Sequence, residues 1–348
     1  MSETVKVGTV EAKPGSKAQR LVKVAEIAGY DLNLPVHIVN GKEPGPTLAI
    51  IAGIHPVEHP AMEGTIRLVN DLDPEKLHGI LITIPVFNIP GFQARVPWAP
   101  LPYPFGSEKT LLTAAFPGKP EGSPNERAAH FVTTEILEKS NYAIEAHGCN
   151  YTQTCPNHVI MRRTGDTELD KSSLMLARCF EGKYVRGAME HQIRKPRPGG
   201  YSVMRQALNL NVPCILPEVG SLGGISSTTG QLNESDIKWF MDGVKNFMKK
   251  VDMLEGESKL YNPRAVKTVI HHRAKNAGLF YPMKPNGAKV SKGETIGLVK
   301  DMFGNVREQI DAEVDGVISL IWTRPAVDHG SVLVQMFELG PKSSTLFP

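Results

Sequence analysis

The sequence predicts an α/β domain followed by a smaller all-β one, and three observations carry this. Before about residue 260, short apolar runs rich in β-branched residues alternate with stretches of helical period. Several of those runs end in His or Glu, the usual way an α/β sheet builds a site at its carboxyl edge. After residue 260 the texture changes to short alternating runs broken by Gly, Asn-Gly and Asp-Gly, which reads as hairpins. At 348 residues the chain is long for one core, so the expected division is 1–259 and 260–348.

Taken in order, residues 1–47 alternate modestly between Gly and Pro breaks and suggest strands leading into the sheet. LAIIAGI (48–54) is the first strongly buried strand, bending at Gly53. Ala61, Met62, Ile66, Leu68 and Val69 recur near helical period, so a helix follows to about Asp71. HGILITIPVFN (78–88) is a second buried strand. Residues 89–124 are dense in Pro, Gly and aromatic residues and read as a long ordered loop over a site. A helix over 125–139 is opened by Ser123-Pro124 with Glu126 in its first turn. YAIEAHG (142–148), HVIMR (158–162) and VPCILPEVG (212–220) are further strands. Helices are expected near 172–181, 202–208 and 235–253, with a basic Gly/Pro segment, Arg186 to Gly200, between the first two.

Composition removes several function classes. Apolar residues at 41% and charged residues at 22% are ordinary for a globular protein. A net charge of +3 with no long Lys/Arg run argues against a nucleic-acid partner. The polar start MSETVKVGTVEAKPGSKAQR lacks the apolar core of a signal peptide, and no stretch approaches the roughly 18 apolar residues of a membrane span. The expected setting is the cytoplasm, with a small-molecule substrate and no membrane partner. Cys149, Cys155, Cys179 and Cys214 have no metal-finger spacing and are expected to stay reduced.

Three strand ends supply the candidate chemistry. His55-x-x-Glu58 offers imidazole and carboxylate, both good Zn²⁺ donors, and His147 is the natural third ligand of a site with one open position. Glu145, two residues earlier on the same strand, faces the same way and can hold a hydrogen bond to the ligand histidine. Glu218 would be the general base that takes a proton from the attacking water. The bland alternatives are a structural histidine at a strand end and a Glu that caps the next segment.

GIHPVEHPA, NIPGF (88–92), AFPG (115–118), PNERAAHFV (124–132), EAHG (145–148) and PEVGSLGG (217–224) occur in an order that resembles the succinylglutamate desuccinylase/aspartoacylase family. The likeness covers roughly residues 45–340. It implies a zinc carboxypeptidase-like mixed-sheet α/β domain, one zinc held by His55, Glu58 and His147, and Glu218 as general base. It also implies hydrolysis of the amide bond of a small N-acyl compound, and self-association into a homo-oligomer. Immediately before FPG the family usually carries D-L-N-R, whose Asn and Arg grip the substrate carboxylate. Here Leu111, Leu112, Thr113 and Ala114 stand in that place, and a further family Arg falls on Pro97, with Arg95 two residues short. Thr and Ala cannot replace a bidentate Arg, so an atypical substrate is expected. Candidates to contact it are Asn88, Trp98, Thr113, Arg194 and Arg197, with Arg95 supporting the oxyanion. Phe92, Tyr103, Phe105 and Phe116 suggest an apolar lining, and Arg162 and Arg163 are further candidates for an anion.

Two rival readings stand beside this one. His55-Pro-Val-Glu58-His59 also spells the inverted zinc-protease motif, but that motif needs a continuous helix and Pro56 interrupts it. A zinc carboxypeptidase or esterase, or a degenerate member that binds without turnover, would use the same cleft.

Overall fold

The computed structural model describes residues 3–96, 115–189, 202–220, 222–226 and 229–347. Their elements are, in chain order, β1 (Val5–Val7), β2 (Val10–Ala12), β3 (Ser16–Ile27), β4 (Tyr30–Asn40), β5 (Glu43–Ala52), α1 (His59–Asp71), β6 (His78–Ile84), α2 (Ile89–Ala94), α3 (Pro124–Glu135), β7 (Tyr142–Ala146), β8 (Gln153–Thr154), β9 (His158–Ile160), α4 (Thr167–Arg178), β10 (Tyr184–Arg186), α5 (Val203–Asn209), β11 (Cys214–Glu218) and α6 (Glu234–Lys250). The chain continues with β12 (Arg264–Arg273), β13 (Gly278–Pro282), β14 (Lys289–Val290), β15 (Thr295–Lys300), β16 (Val306–Asp311), β17 (Gly316–Trp322), β18 (Ala326–Val327) and β19 (Val332–Lys342).

Most strands join one mixed sheet, ordered β14-β17-β19-β12-β10-β9-β11-β7-β5-β6-β4-β3 with β8 added beside β17. Its centre is parallel: β7 lies between β5 and β11 and runs parallel to both. Helices cover both faces, as buried parallel strands require. Phe240, Val244 and Phe247 of α6 share one core with Leu68 of α1 and Leu176 of α4. On the opposite face, Ala129 and Val132 of α3 and Met204 and Ala207 of α5 pack against Ala49, Ile51 and Leu34 of the sheet.

Local signals explain the helix ends. Ser123 and Glu126 form the reciprocal capping box of α3, with Pro124 in its first turn. Asp166 caps α4 through the N–H groups of Glu168 and Leu169, which starts that helix several residues earlier than apolar period alone suggests. Residues 89–96 are not all loop: α2 is nucleated by Asn88, whose side chain accepts from Gly91 N–H.

The C-terminal strands do two things. β13, β15, β16 and β18 form a separate four-stranded antiparallel sheet, whose core around Phe280, Val299 and Ile310 is shared with β17 and β19 of the main sheet through Ile318 and Leu333. β12, however, hydrogen-bonds in parallel to β10, so the main sheet runs on without a break from the α/β part into β19 and β17. Among the described residues, no helix is long and apolar enough to cross a membrane.

Candidate active site

Three adjacent parallel strands deliver the site at their carboxyl ends. β5 ends at Ala52, and Gly53 turns the chain with φ +65°; a Cβ there would sit 2.8 Å from Val86 Cα and 2.9 Å from Met62 Sδ, so only glycine makes this bend. His55 and Glu58 follow, with Glu58 at the position that precedes α1. His147 comes directly after β7, and Glu218 is the last residue of β11. The ladder continues past both strand ends: His147 N–H donates to Pro217 O at 3.0 Å, and Val219 N–H donates to His147 O at 2.9 Å.

The donor atoms converge. Glu58 Oε1 lies 2.9 Å from His55 Nδ1, Glu58 Oε2 lies 3.0 Å from His147 Nδ1, and the two Nδ1 atoms are 3.2 Å apart. Tetrahedral Zn²⁺ with bonds of about 2.0–2.1 Å holds its ligand atoms roughly 3.3 Å from one another, so the spacing and the donor types suit such an ion. His147 Nε2 faces Glu145 Oε1 at 3.1 Å. An ionised carboxylate only accepts, so Nε2 carries the proton and the Nδ1 lone pair is turned into the cluster. Glu145 is itself fixed by Met204 N–H at 2.7 Å.

Charge tells the same story. Burial opposes ionisation of Glu58, but the neighbouring His55 and His147 outweigh it and hold the carboxyl at about 2. Burial likewise opposes charging of His147, and Glu58 and Glu145 outweigh that and raise it well above the usual imidazole value. A centre that stabilises positive charge between carboxylates is the electrostatic counterpart of a cation site. Glu218 behaves oppositely: burial and the charge of Glu58 push it up to about 7. Two neighbouring carboxyls driven apart in this way are suited to different tasks.

The cluster opens into a cavity of about 410 Å³. Gly148 through Gln153 and Cys155 form one wall, His158 and Arg186 a second, and the C-terminal strands the third, through Ser319, Leu320 and Trp322 of β17 and Gln335 and Phe337 of β19. Gly148 begins the first wall. Its N–H donates to Glu58 Oε2 at 3.0 Å, and a Cβ on it would fall 2.3 Å from Val219 O.

The remaining expectations fare differently. His59 turns away, with Nδ1 3.0 Å from Gly223 O, in keeping with its exclusion from the ligand set. Asn88 is buried, and its side chain is used at both ends, by Gly91 N–H and by Ile54 O. It caps α2 and is not part of the described cavity lining. Arg95 is exposed, in the left-handed conformation that closes α2, and does not line the cavity either. Phe116 belongs to the core, against Phe87 at 5.8 Å, and Arg163 pairs with Asp170 and lies over Phe347. Trp98, Tyr103, Phe105, Thr113, Arg194 and Arg197 lie outside the described residues. The cysteines need a correction: Cys149 and Cys155 form a disulfide, because the loop after His147 folds back within the cavity wall, while Cys179 and Cys214 are buried thiols. Arg186, Ser319, Trp322, Gln335 and Phe337 were not singled out as site residues by sequence reasoning.

A mixed α/β sheet thus presents at its carboxyl edge a group able to hold a metal ion, with a buried carboxyl on the neighbouring strand. The chain belongs to the succinylglutamate desuccinylase/aspartoacylase family, whose catalytic domain its residues 44–251 match. Family members are deacylases, hydrolases that act on amide bonds of small acyl compounds. The N-alpha-acetyl-L-2,4-diaminobutyric acid deacetylase of Halomonas elongata is 24% identical over 313 residues, covering 88% of this chain and 86% of that protein. Among solved structures, the product-bound ectoine utilization protein EutE (DoeB) of Ruegeria pomeroyi superposes with a TM-score of 0.78 at 17% identity, covering 97% of this chain and 99% of that one. A succinylglutamate desuccinylase/aspartoacylase from Rhodobacter sphaeroides gives 0.77 at 19% identity, with 93% and 94% coverage. At such identities the structural likeness speaks to the fold.

Proposed function

We propose that this protein is a zinc-dependent deacylase, with one zinc per chain held by His55, Glu58 and His147, that hydrolyses the amide bond of a small N-acyl compound. The observation that carries the reading is the convergence of these three donor atoms, with Glu218 beside them on the next strand. When bound, zinc supplies Lewis acidity to the scissile carbonyl and acidifies the attacking water.

The chain's own groups do the rest. Glu218 accepts the proton of the attacking water and delivers it to the leaving nitrogen, a task suited to a carboxyl near 7. Glu58 stays ionised throughout. Glu145 fixes the ring of His147 and its tautomer. The wall from β17 and β19 limits the volume open to the substrate, which makes the C-terminal part, from residue 260, the second functional unit of the chain.

Leu111 to Ala114 stand where the family's Asn-Arg pair grips a carboxylate, which supports a substrate other than N-acyl-aspartate or N-succinyl-glutamate. The Halomonas relative is named for an acetylated small amino acid, and that name supports an N-acetyl or similarly short acyl group here. The family resemblance supports a homo-oligomer. The test is a screen of N-acetyl and N-succinyl amino acids against protein of measured metal content. Turnover that is lost on chelation and restored by Zn²⁺ is the expected result. Protein that binds no zinc, or turnover indifferent to chelation, contradicts the reading.

A further inference from the structure

The strand end that carries Glu218 is held from outside the cavity. β11 stops at Glu218, and the chain turns at Gly220 with φ +77°; a Cβ there would lie 2.8 Å from Asp236 Oδ2 and 3.2 Å from Pro60 Cγ. On one side the backbone secures the turn, since Glu218 bridges His147 and Val219 N–H donates to His147 O at 2.9 Å. On the other side Glu218 pairs with His158, the first residue of β9, and the paired register ends there. The next donor, Gly220 N–H, goes to a side chain instead: Asn157 Oδ1 accepts it at 2.6 Å. Asn157 is not part of the described cavity lining.

Asn157 is itself anchored. Its Nδ2 donates to Asp236 Oδ1 at 3.1 Å. Asp236 lies in the first turn of α6, the helix that sets Phe240, Val244 and Phe247 into the core. These two partners dictate one orientation of the amide. Gly220 N–H only donates and an ionised Asp236 only accepts, so the oxygen faces the turn and the nitrogen faces the helix. The amide thus ties the residue two places after Glu218 to a helix packed in the core. Gly220 is buried, and a buried N–H left unpaired is costly enough to move the turn that bears it. A general base must meet the proton it takes within about 2.6–3.2 Å, and a misplacement of about 1 Å is felt in the rate.

We propose that Asn157 is a positioning residue: through Gly220 N–H it fixes the strand end that carries Glu218 beside the His55, Glu58 and His147 cluster, with Asp236 as its anchor. This deepens the deacylase reading and rests on it for the role of Glu218. It predicts a defect in the chemical step with the metal site intact, because both amide ends of Asn157 are spent on Gly220 and Asp236.

The test joins kinetics of zinc-loaded full-length protein, on the best substrate of the screen, to hydrogen exchange of the segment 214–220. Asn157→Ala should lower kcat about 10- to 100-fold with KM held within about 2-fold and zinc retained. Exchange over 214–220 should quicken by about 10-fold or more. Asn157→Asp sets two carboxylates against each other and should lose kcat to a similar degree. Asn157→Asp/Asp236→Asn restores an acceptor for Gly220 N–H and a donor within the pair, and should return kcat to within about 3-fold of the unaltered protein. A merely structural Asn157 would raise KM or shed zinc in step with kcat, or leave the swapped pair impaired. Any of these overturns the proposal, as does kcat within about 2-fold of normal in both single variants. If Asn157→Ala does not fold, Asn157→Asp and the swapped pair decide. If no substrate is cleaved, the deacylase reading fails, and hydrogen exchange still decides whether Asn157 holds the strand end. Protection lost in Asn157→Asp and regained in the swapped pair upholds it, and any other pattern overturns it.

Discussion

Replacing Glu145 by Gln should weaken zinc binding without touching a ligand. Two donors face this buried carboxylate: the His147 ring at Nε2, 3.1 Å away, and Met204 N–H, 2.7 Å away. A carboxylate accepts from both, whereas Gln has one accepting end and one donating end. If its oxygen serves Met204, its NH₂ meets Nε2, which must then give up its proton. The proton moves to Nδ1, the atom that lies 3.0 Å from Glu58 and 3.2 Å from His55 Nδ1, and the lone pair is removed from the cluster. The opposite orientation sets an NH₂ against Met204 N–H, at a cost of about 1–3 kcal/mol in stability. Loss of such a supporting hydrogen bond typically lowers metal affinity 10- to 100-fold, about 1.4–2.7 kcal/mol. Chelator-competition titration of zinc into both proteins measures this. A Glu145→Gln protein that binds zinc as tightly as the unaltered one refutes the assigned tautomer.

Three further outcomes follow from the same geometry. Burial lowers His158 from 6.5 to about 4, so the folded state binds fewer protons than the unfolded one between those values; stability is complete above pH 6.5 and falls by about 3 kcal/mol as pH drops through 4. Urea unfolding from pH 4 to 7 should show this decline shrink in His158→Phe, and parallel curves would contradict it. Gly148→Ala places a Cβ 2.3 Å from Val219 O, so about 2–3 kcal/mol of stability should be lost together with zinc retention; an unchanged melting temperature would show that the β7–β11 edge yields freely. The disulfide closes a loop of sequence separation 6, so Cys149→Ser/Cys155→Ser should cost about 2 kcal/mol by loop-closure entropy, and a urea midpoint equal to that of the oxidised protein would argue that the loop is held by other contacts.

The meeting of His55, Glu58 and His147 with Glu218 beside them was legible because strand ends are local features. An apolar run that stops at His or Glu can be read without knowing its neighbours, and parallel strands bring such ends together. Arg186 and the residues of β17 and β19 were not legible, because they reach the cavity through sheet pairing with strands distant in sequence. No periodicity encodes that meeting. Asn88 and Phe116 lie away from the described cavity lining for the opposite reason. Asn88 satisfies the helix that begins one residue later, and Phe116 fills core space beside Phe87, so proximity to a motif in sequence did not become presence at the site. The disulfide has no spacing signature, since it depends on how one loop turns after His147. The continuous sheet from β10 into β12 was hidden for the same reason, although the all-β texture beyond residue 260 was plain.

The claim at the centre of this account is that Glu218 moves the proton while His55, Glu58 and His147 hold the metal. Glu218→Gln separates the two roles, since it keeps the shape and the hydrogen-bonding reach and removes the basicity. Measured on the best substrate of the screen at a determined zinc content, the variant should retain about one zinc per chain and lose kcat by about 10²- to 10⁴-fold. A variant that hydrolyses at the rate of the unaltered protein with its zinc in place would contradict the account.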